Sequence, residues 1–191
     1  MPPELTKIAH PFLYEINTWP WLAAISKTEG KSIDLGSVPA RYWDQIADLG
    51  FDGVWLMGVW QRSPAGITIA LSNDDLRASF GAALPDWQPY DVVGSPYCVR
   101  SYVVDDHFGG AAGLAAAREA LAVRGMGLIL DFVPNHVAPD HPWTSAKPDV
   151  FVSGTAADLG RDPASFVEIG GRVLANGRSE ERRVGKECVT T

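Results

Sequence analysis

The most constraining feature of the sequence is residues 127–136, GLILDFVPNH, an apolar run that ends in polar residues. Its first four residues are uniformly apolar, which is typical of a short strand buried on both faces of a parallel sheet. Pro134 has no N–H to donate and therefore stops the strand pairing. Asp131, Asn135 and His136 are thus predicted at the carboxyl end of a strand, where α/β sheets and β/α barrels bind their ligands.

Two further strands and two helices are predicted before this stretch. Residues 12–17 and 53–57 are rich in aromatic, β-branched and other apolar residues and predict a first and a second strand. Helical periodicity predicts one helix from about Pro39 to Leu49 and another from about Ala111 to Arg124. Strand, helix and strand in this order predict a parallel sheet built from right-handed βαβ units.

The connections after the strands are predicted to be long and irregular. Residues 18–37 and 58–109 show no helical periodicity, although such connections usually have about 2–6 residues. After His136 the sequence does not regain helical periodicity, and short apolar pairs such as Phe166-Val167 predict a small β-rich excursion. The pattern favours the opening of a β/α barrel over a doubly wound sheet, which would need a Gly-rich phosphate turn after its first strand.

The composition excludes several classes of partner. A formal net charge of -7 argues against nucleic acid. No apolar run approaches the roughly 20 residues needed to cross a bilayer, so no membrane partner is expected. The N-terminus lacks the layout of a signal peptide, which makes the cytoplasm the expected location. Cys98 and Cys188 provide neither a disulfide framework nor a metal-binding spacing.

Together these segments resemble glycoside hydrolase family 13, the α-amylase family. The strongest match is DFVPNH at residues 131–136, which resembles the family signature at the end of barrel strand three. The order and the separations of the matching segments make the resemblance specific, and it covers roughly residues 10–177. Four more segments match in the expected order: residues 13–17 for strand one, 53–57 for strand two, and then PYD at 89–91 and FGG at 108–110.

The resemblance implies an α/β fold that comprises the N-terminal part, about strands one to three, of a (β/α)8 TIM barrel. The start of an inserted β-rich domain is expected after strand three. Residues 1–136 are accordingly expected to hold the first three strands and two helices of the barrel, residues 137–177 the start of the inserted domain, and residues 178–191 a tail that is not native.

The reaction implied by the resemblance is hydrolysis or transfer at an α-glucosidic bond with retention of configuration. An α-linked oligo- or polysaccharide is the expected partner. In this family the nucleophilic Asp follows strand four and the acid Glu follows strand five, so both are expected beyond residue 191 and this chain is expected to be inactive. A non-catalytic amylase-like binding or partner subunit and an α-glucosyl transferase remain alternatives. An unrelated barrel enzyme with Asp131 as a metal ligand is a further alternative.

Four residues are the candidate substrate contacts. By the resemblance, Tyr90 stacks on the sugar at the point of cleavage and Asp91 helps to hold that sugar, although an ordinary turn would explain both residues. His136 is expected to donate a hydrogen bond to a sugar hydroxyl. Asp131 is expected to support the site rather than to perform the chemistry.

No cofactor is required by the resemblance, and calcium is the one ion to consider. Asn135 matches a position that binds calcium in many members and hydrogen-bonds the inserted loop in others, and a single oxygen ligand does not define a calcium site. His136 and His141 are interpreted as loop histidines rather than a metal pair, because Pro139 prevents the helix that would put them on one face. Residues 60–63 either line the cleft or brace the long loop.

The C-terminal run from Arg178 to Cys188 is almost entirely charged and contrasts with the neutral segment before it. A solvated terminal tail is the ordinary interpretation. The run also resembles one reading frame of a common sequencing adapter, which leads to the hypothesis that natural sequence ends near Gly177. Intact coding sequence that continues through position 178 in an independent DNA read would contradict this hypothesis.

Overall fold

The structure is a computed structural model that describes residues 5–176. The predicted non-native tail therefore lies outside the described residues. Within them the chain forms two compact units: unit 1 comprises residues 5–61 and 103–132, and unit 2 comprises residues 62–102 and 133–176. The domain boundaries expected at residues 136 and 177 stay predictions.

The helices and strands of the described residues are, in chain order, β1 (Leu13–Asn17), α1 (Thr18–Glu29), α2 (Ala40–Ala47), β2 (Gly53–Met57), β3 (Trp60–Arg62), α3 (Pro64–Ser72), α4 (Asp74–Ala83), β4 (Val99–Val104), α5 (Gly110–Ala122), β5 (Gly127–Leu130), α6 (Trp143–Ala146), α7 (Ala156–Arg161), β6 (Phe166–Ile169) and β7 (Arg172–Ala175). Short 3-10 turns occur at Leu5–Lys7, Pro89–Asp91, Asp106–Phe108 and Pro148–Val150.

Unit 1 is built on a three-stranded parallel sheet in the order β1-β2-β5. The register aligns Glu15 with Trp55 and Trp55 with Ile129, so these three residues form one row across the sheet. All three strands were predicted, as were the helices α2 and α5 that precede β2 and β5. The carboxyl ends of the strands consequently meet at one edge, as the sequence led us to expect.

One face of this sheet carries the core of unit 1. Val54 and Leu56 of β2 are completely buried, and Trp43 of α2 and Leu121 of α5 are buried in the same apolar cluster. Burial of each such aliphatic side chain stabilises the fold by roughly 1.5–3 kcal/mol relative to its exposed state. On the opposite face, the row that contains Glu15 is exposed or only half-buried.

Helix α1 corrects the expectation that residues 18–37 are irregular. Pro20 is the third residue of a helix that begins at Thr18. The N–H groups of the first helical turn have no intrahelical acceptor, so a proline there removes no hydrogen bond. Leu22 and Ile25 then bury one side of the helix. Unit 1 thus has three α-helices in its described part rather than the two expected.

Helices α3 and α4 correct the expectation that residues 58–109 form one irregular loop. Ser63 caps α3 by accepting a hydrogen bond from the Gly66 N–H at 2.8 Å, and Asn73 caps α4 in the same way through Leu76 at 3.0 Å. No residue of either helix is fully buried. A helix is recognised in a sequence by an apolar stripe along its buried side. Neither α3 nor α4 has such a buried side, so the periodicity did not predict them.

Unit 2 contains the predicted β-rich excursion. Strands β6 and β7 form an antiparallel hairpin in which Phe166 lies opposite Ala175. The expectation that no helix follows His136 was wrong, because α6 and α7 are helical, but both are too short to show a periodic pattern. Strand β3 pairs with β4 in a separate two-stranded sheet. Among the described residues, no helix is long and apolar enough to cross a membrane.

Candidate substrate-binding site

Asp131 lies immediately after β5 and is 7% exposed. Its carboxylate accepts a hydrogen bond from Trp55 Nε1 at 2.7 Å and another from the backbone N–H of Gly58. Trp55 belongs to the neighbouring strand β2, and Gly58 follows the end of that strand. Asp131 therefore ties together the carboxyl ends of β2 and β5. Its expected role in supporting a substrate site stays a prediction.

Two further contacts fix this end of the sheet. The indole of Trp60 donates to the backbone carbonyl of Asp131 at 2.9 Å. Gly58 has a φ of 78°, a backbone conformation that favours glycine, so the chain can turn there and direct its N–H to the carboxylate. The sequence left open whether residues 60–63 line the cleft or brace the long loop. Through this contact Trp60 acts as a brace, because it fixes the start of the loop to Asp131.

His136 is the last residue of the same signature and lies half-buried in unit 2. Its Nε2 is 3.1 Å from the carbonyl oxygen of Tyr97. Since a carbonyl only accepts, Nε2 carries the proton in this contact. Nδ1 is buried and has no hydrogen-bond partner among the described residues. A neutral His136 can therefore accept a hydrogen bond at Nδ1, and a charged one can donate, whereas the sequence predicted donation to a sugar hydroxyl.

Tyr90 and Asp91 lie in the 3-10 turn at Pro89–Asp91. The Asp91 carboxylate accepts a hydrogen bond from the Gln88 N–H at 2.7 Å, which holds the turn closed. The side chain of Tyr90 is 79% exposed, so the ring has a free surface on which a sugar can stack. The two interpretations are thus compatible, because Asp91 closes the turn while Tyr90 exposes its ring.

Tyr102 is a supporting residue that the sequence analysis missed. Its hydroxyl accepts a hydrogen bond from the Val133 N–H at 2.8 Å and donates to the Val133 carbonyl at 3.1 Å. Nearby, the Ala138 N–H donates to the Val99 carbonyl at 3.1 Å. Strand β4 thus holds the segment on either side of His136. In the sequence Tyr102 is an aromatic residue followed by two valines, and this pattern does not indicate Val133 as its partner.

A second missed group surrounds the start of α3. Ser63 is 1% exposed, and its hydroxyl donates to Asp140 at 2.6 Å. Asp140 also accepts a hydrogen bond from the Ala65 N–H at 3.3 Å, and Arg100 lies 3.8 Å from the same carboxylate. A negative charge at a helix N-terminus is favourable, so Asp140 stabilises both the helix and the loop that carries it.

His141 is 6% exposed, and burial lowers the pKa of its imidazole, while the charge of Asp140 acts weakly in the other direction. Its Nδ1 accepts a hydrogen bond from the Trp143 N–H at 3.1 Å. This ring nitrogen already has a role in the loop. The contact supports the interpretation of His141 as a loop residue.

The calcium expectation was examined at Asn135, which is exposed. Calcium takes six to eight oxygen ligands, with carboxylates prominent among them. In residues 5–176, no three His, Cys, Asp or Glu side chains are grouped so that they could hold a metal ion. Backbone and amide carbonyl oxygens also bind calcium, so calcium at Asn135 stays a prediction.

The candidate residues are distributed over both units. Asp131 belongs to unit 1, whereas Tyr90, Asp91, Asn135 and His136 belong to unit 2. Within unit 2, the turn at residues 89–91 and the segment around His136 are each fixed by the contacts above. The assignment of all these residues to a substrate stays a prediction.

Comparisons with known proteins were made by sequence and by structure. The family model described as Alpha amylase, catalytic domain, matches residues 38–153, which is more than half of the chain. No curated protein sequence matches the chain significantly.

The solved structures that are similar in fold include two α-amylases and a trehalose-6-phosphate hydrolase. An α-amylase from Lactobacillus plantarum has 20% sequence identity and a TM-score of 0.54, over 86% of this chain and 31% of the amylase. A trehalose-6-phosphate hydrolase from Bacillus licheniformis has 17% identity and a TM-score of 0.55, over 85% of this chain and 27% of that enzyme. An α-amylase from H. orenii has 19% identity and a TM-score of 0.52, over 88% and 32%.

These similarities show that the parallel β1-β2-β5 sheet and its helices are part of an α/β barrel. The chain spans only about a third of the length of these structures. The family model covers more than half of the chain, from just before α2 to beyond the signature at residues 131–136. The chain therefore belongs to the α-amylase family of glycoside hydrolases, and it corresponds to part of the catalytic domain.

Proposed function

We propose that this chain supplies part of the substrate-binding surface of a retaining, α-amylase-type enzyme that acts on α-linked oligo- or polysaccharides. The observation that carries the proposal is the position of the DFVPNH signature. It follows the third parallel strand of the sheet, within the segment that matches the family, and its first residue is fixed at the carboxyl edge by hydrogen bonds from Trp55 and Gly58.

Each candidate residue has a role that its environment supports. The exposed ring of Tyr90 provides a flat surface for the apolar face of a sugar. Asp91 is within the same turn and can accept a hydrogen bond from a sugar hydroxyl. His136 has a buried ring nitrogen, Nδ1, without a hydrogen-bond partner among the described residues, so a sugar hydroxyl that reached it would satisfy it. Asp131 is a positioning residue, since its carboxylate accepts hydrogen bonds from Trp55 and Gly58 of the same unit.

Glycoside hydrolysis with retention requires two carboxyl groups about 5–5.5 Å apart, one as the nucleophile and one as the acid. In this family the two groups follow barrel strands four and five, whereas the parallel sheet of the described residues has three strands. We therefore propose that residues 5–176 contain neither group. The chain should bind an oligosaccharide but release no reducing sugar from it.

Maltoheptaose provides a direct test by calorimetric titration together with a reducing-sugar assay. Saturable binding without hydrolysis is the expected result, with at least about tenfold weaker affinity for Tyr90→Ala and His136→Ala. The matched control is Phe12→Ala, which removes an exposed aromatic ring at the amino end of β1 and should leave the affinity unchanged. Absence of saturable binding up to about 10 mM sugar would contradict the proposal.

A further inference from the structure

A cavity of about 450 Å³ lies entirely within unit 2. Its walls are α3, α4 and residues 91–98, a segment that we call the strap. Small-molecule sites in proteins typically have volumes of about 300–1,000 Å³, so the cavity is large enough for a ligand. The residues that line the cavity include Ala70, Phe80, Trp87, Asp91 and Cys98.

The strap is fixed by a hydrogen bond from Arg62 of β3 and packs closely against α3. The guanidinium of Arg62 donates from Nη1 to the Gly94 carbonyl at 2.8 Å. Gly94 has a φ of 84°, and a Cβ at this position would lie 3.1 Å from Cγ1 of Ile67 on α3. The strap therefore approaches the helix as closely as a glycine permits.

The opposite wall contains an aromatic pair. The rings of Phe80 on α4 and Trp87 are 5.6 Å apart and 71° inclined, in an edge-to-face arrangement. Such pairs fix the orientation of both rings. Both rings line the cavity, so a flat ligand ring would meet aromatic surfaces that are already in position.

The chemistry of the lining favours an apolar ligand over a sugar. A sugar site needs several hydrogen-bonding groups, whereas Asp91 is the one charged residue among the described residues that line the cavity. An apolar space that neither protein nor water fills well loses dispersion contacts and costs free energy. Since no residue of α3 or α4 is fully buried, a bound molecule would supply the contacts that these helices lack.

We propose that this cavity binds a small, uncharged and largely apolar molecule with a flat ring. Tyr90 does not line the cavity, and Asp91 is the one residue that the cavity shares with the proposed sugar contacts. The binding of an apolar molecule does not depend on the proposed function. Asp91 at the lining disfavours anionic ligands, because a carboxylate repels them and a partly apolar surrounding does not screen that repulsion.

The test uses N-phenyl-1-naphthylamine, a neutral aromatic probe whose fluorescence rises in apolar surroundings, with the full chain. Ala70 lines the cavity, so Ala70→Phe should fill it and weaken probe binding by at least about tenfold. Ala78 is exposed on α4 outside the lining, and Ala78→Phe adds the same ring without filling the cavity. The control variant should bind the probe as the unchanged chain does.

A second measurement does not require a cavity variant to fold. The sequence has two cysteines, so Cys188→Ser leaves Cys98, which lines the cavity. Saturating probe should slow the reaction of Cys98 with a thiol reagent several-fold. Equal probe affinity of Ala70→Phe and Ala78→Phe in folded protein, an unchanged thiol reaction rate, or no probe binding at all would each overturn the proposal.

Discussion

Replacement of Asp131 by alanine tests how the carboxyl end of the sheet is held together. The change removes the acceptor for the indole N–H of Trp55 and for the backbone N–H of Gly58. Each of these two donors, once left without a partner, costs about 1–3 kcal/mol, which gives about 2–6 kcal/mol for both. Removal of a buried negative charge recovers part of this loss. We therefore expect Asp131→Ala to lower the free energy of unfolding by about 2–4 kcal/mol.

Asp131→Asn gives a graded comparison. The amide keeps one acceptor oxygen but presents an NH₂ group to the second donor, so a loss of about 1–2 kcal/mol is expected. The measurement is urea unfolding at constant pH, followed by tryptophan fluorescence. Asp48→Ala removes an exposed carboxylate from the same unit and should change stability by less than about 0.5 kcal/mol. If Asp131→Ala were as stable as this control, the role assigned to Asp131 would be wrong.

Three more variants test other parts of the account. Ser63→Ala should lower the free energy of unfolding by about 1–2 kcal/mol, since it removes the cap of α3 and a donor to Asp140, while Ser72→Ala at the exposed end of the helix should have little effect. Tyr102→Phe should weaken maltoheptaose binding with little change in the far-ultraviolet circular dichroism, because the hydroxyl that holds the chain before His136 is lost. Burial lowers the pKa of His141 in the folded chain, so the unfolded chain takes up this proton at a higher pH. The free energy of unfolding should therefore fall as the pH drops from about 7, through the ordinary pKa near 6.5, toward the lowered pKa. In His141→Asn this part of the pH dependence should be absent, and an unchanged pH profile would contradict the assignment.

The sequence was sufficient for those elements that bury one side against the sheet. Helix α2 shows a helical periodicity and strand β2 an apolar run because Trp43 and Leu56 face the same core. Helices α3 and α4 were missed because neither buries a residue completely, and α1 was missed because Pro20 lies in its first turn. Periodicity thus reports burial, and a helix without a buried side gives no such signal.

The candidate site was predictable only in part for a similar reason. The change from an apolar run to polar residues places Asp131 at the end of a strand. Its donors Trp55 and Gly58 are more than 70 residues earlier in the chain, and no local pattern pairs residues over that separation. Tyr102 holds Val133 across 31 residues in the same way. The positions of site residues follow from local sequence, whereas their partners follow from the tertiary fold.

The most direct test of the account is a titration of the selectively ¹⁵N-labelled histidines with maltoheptaose, observed by NMR. The sequence contains four histidines, so each ring can be followed separately. We predict that the ring signals of His136 shift to saturation, that those of His141 do not, and that Tyr90→Ala abolishes the shift. If the signals of His136 stay unchanged at sugar concentrations up to about 10 mM, or if both histidines shift equally, His136 is not a sugar contact and the proposed binding surface is wrong.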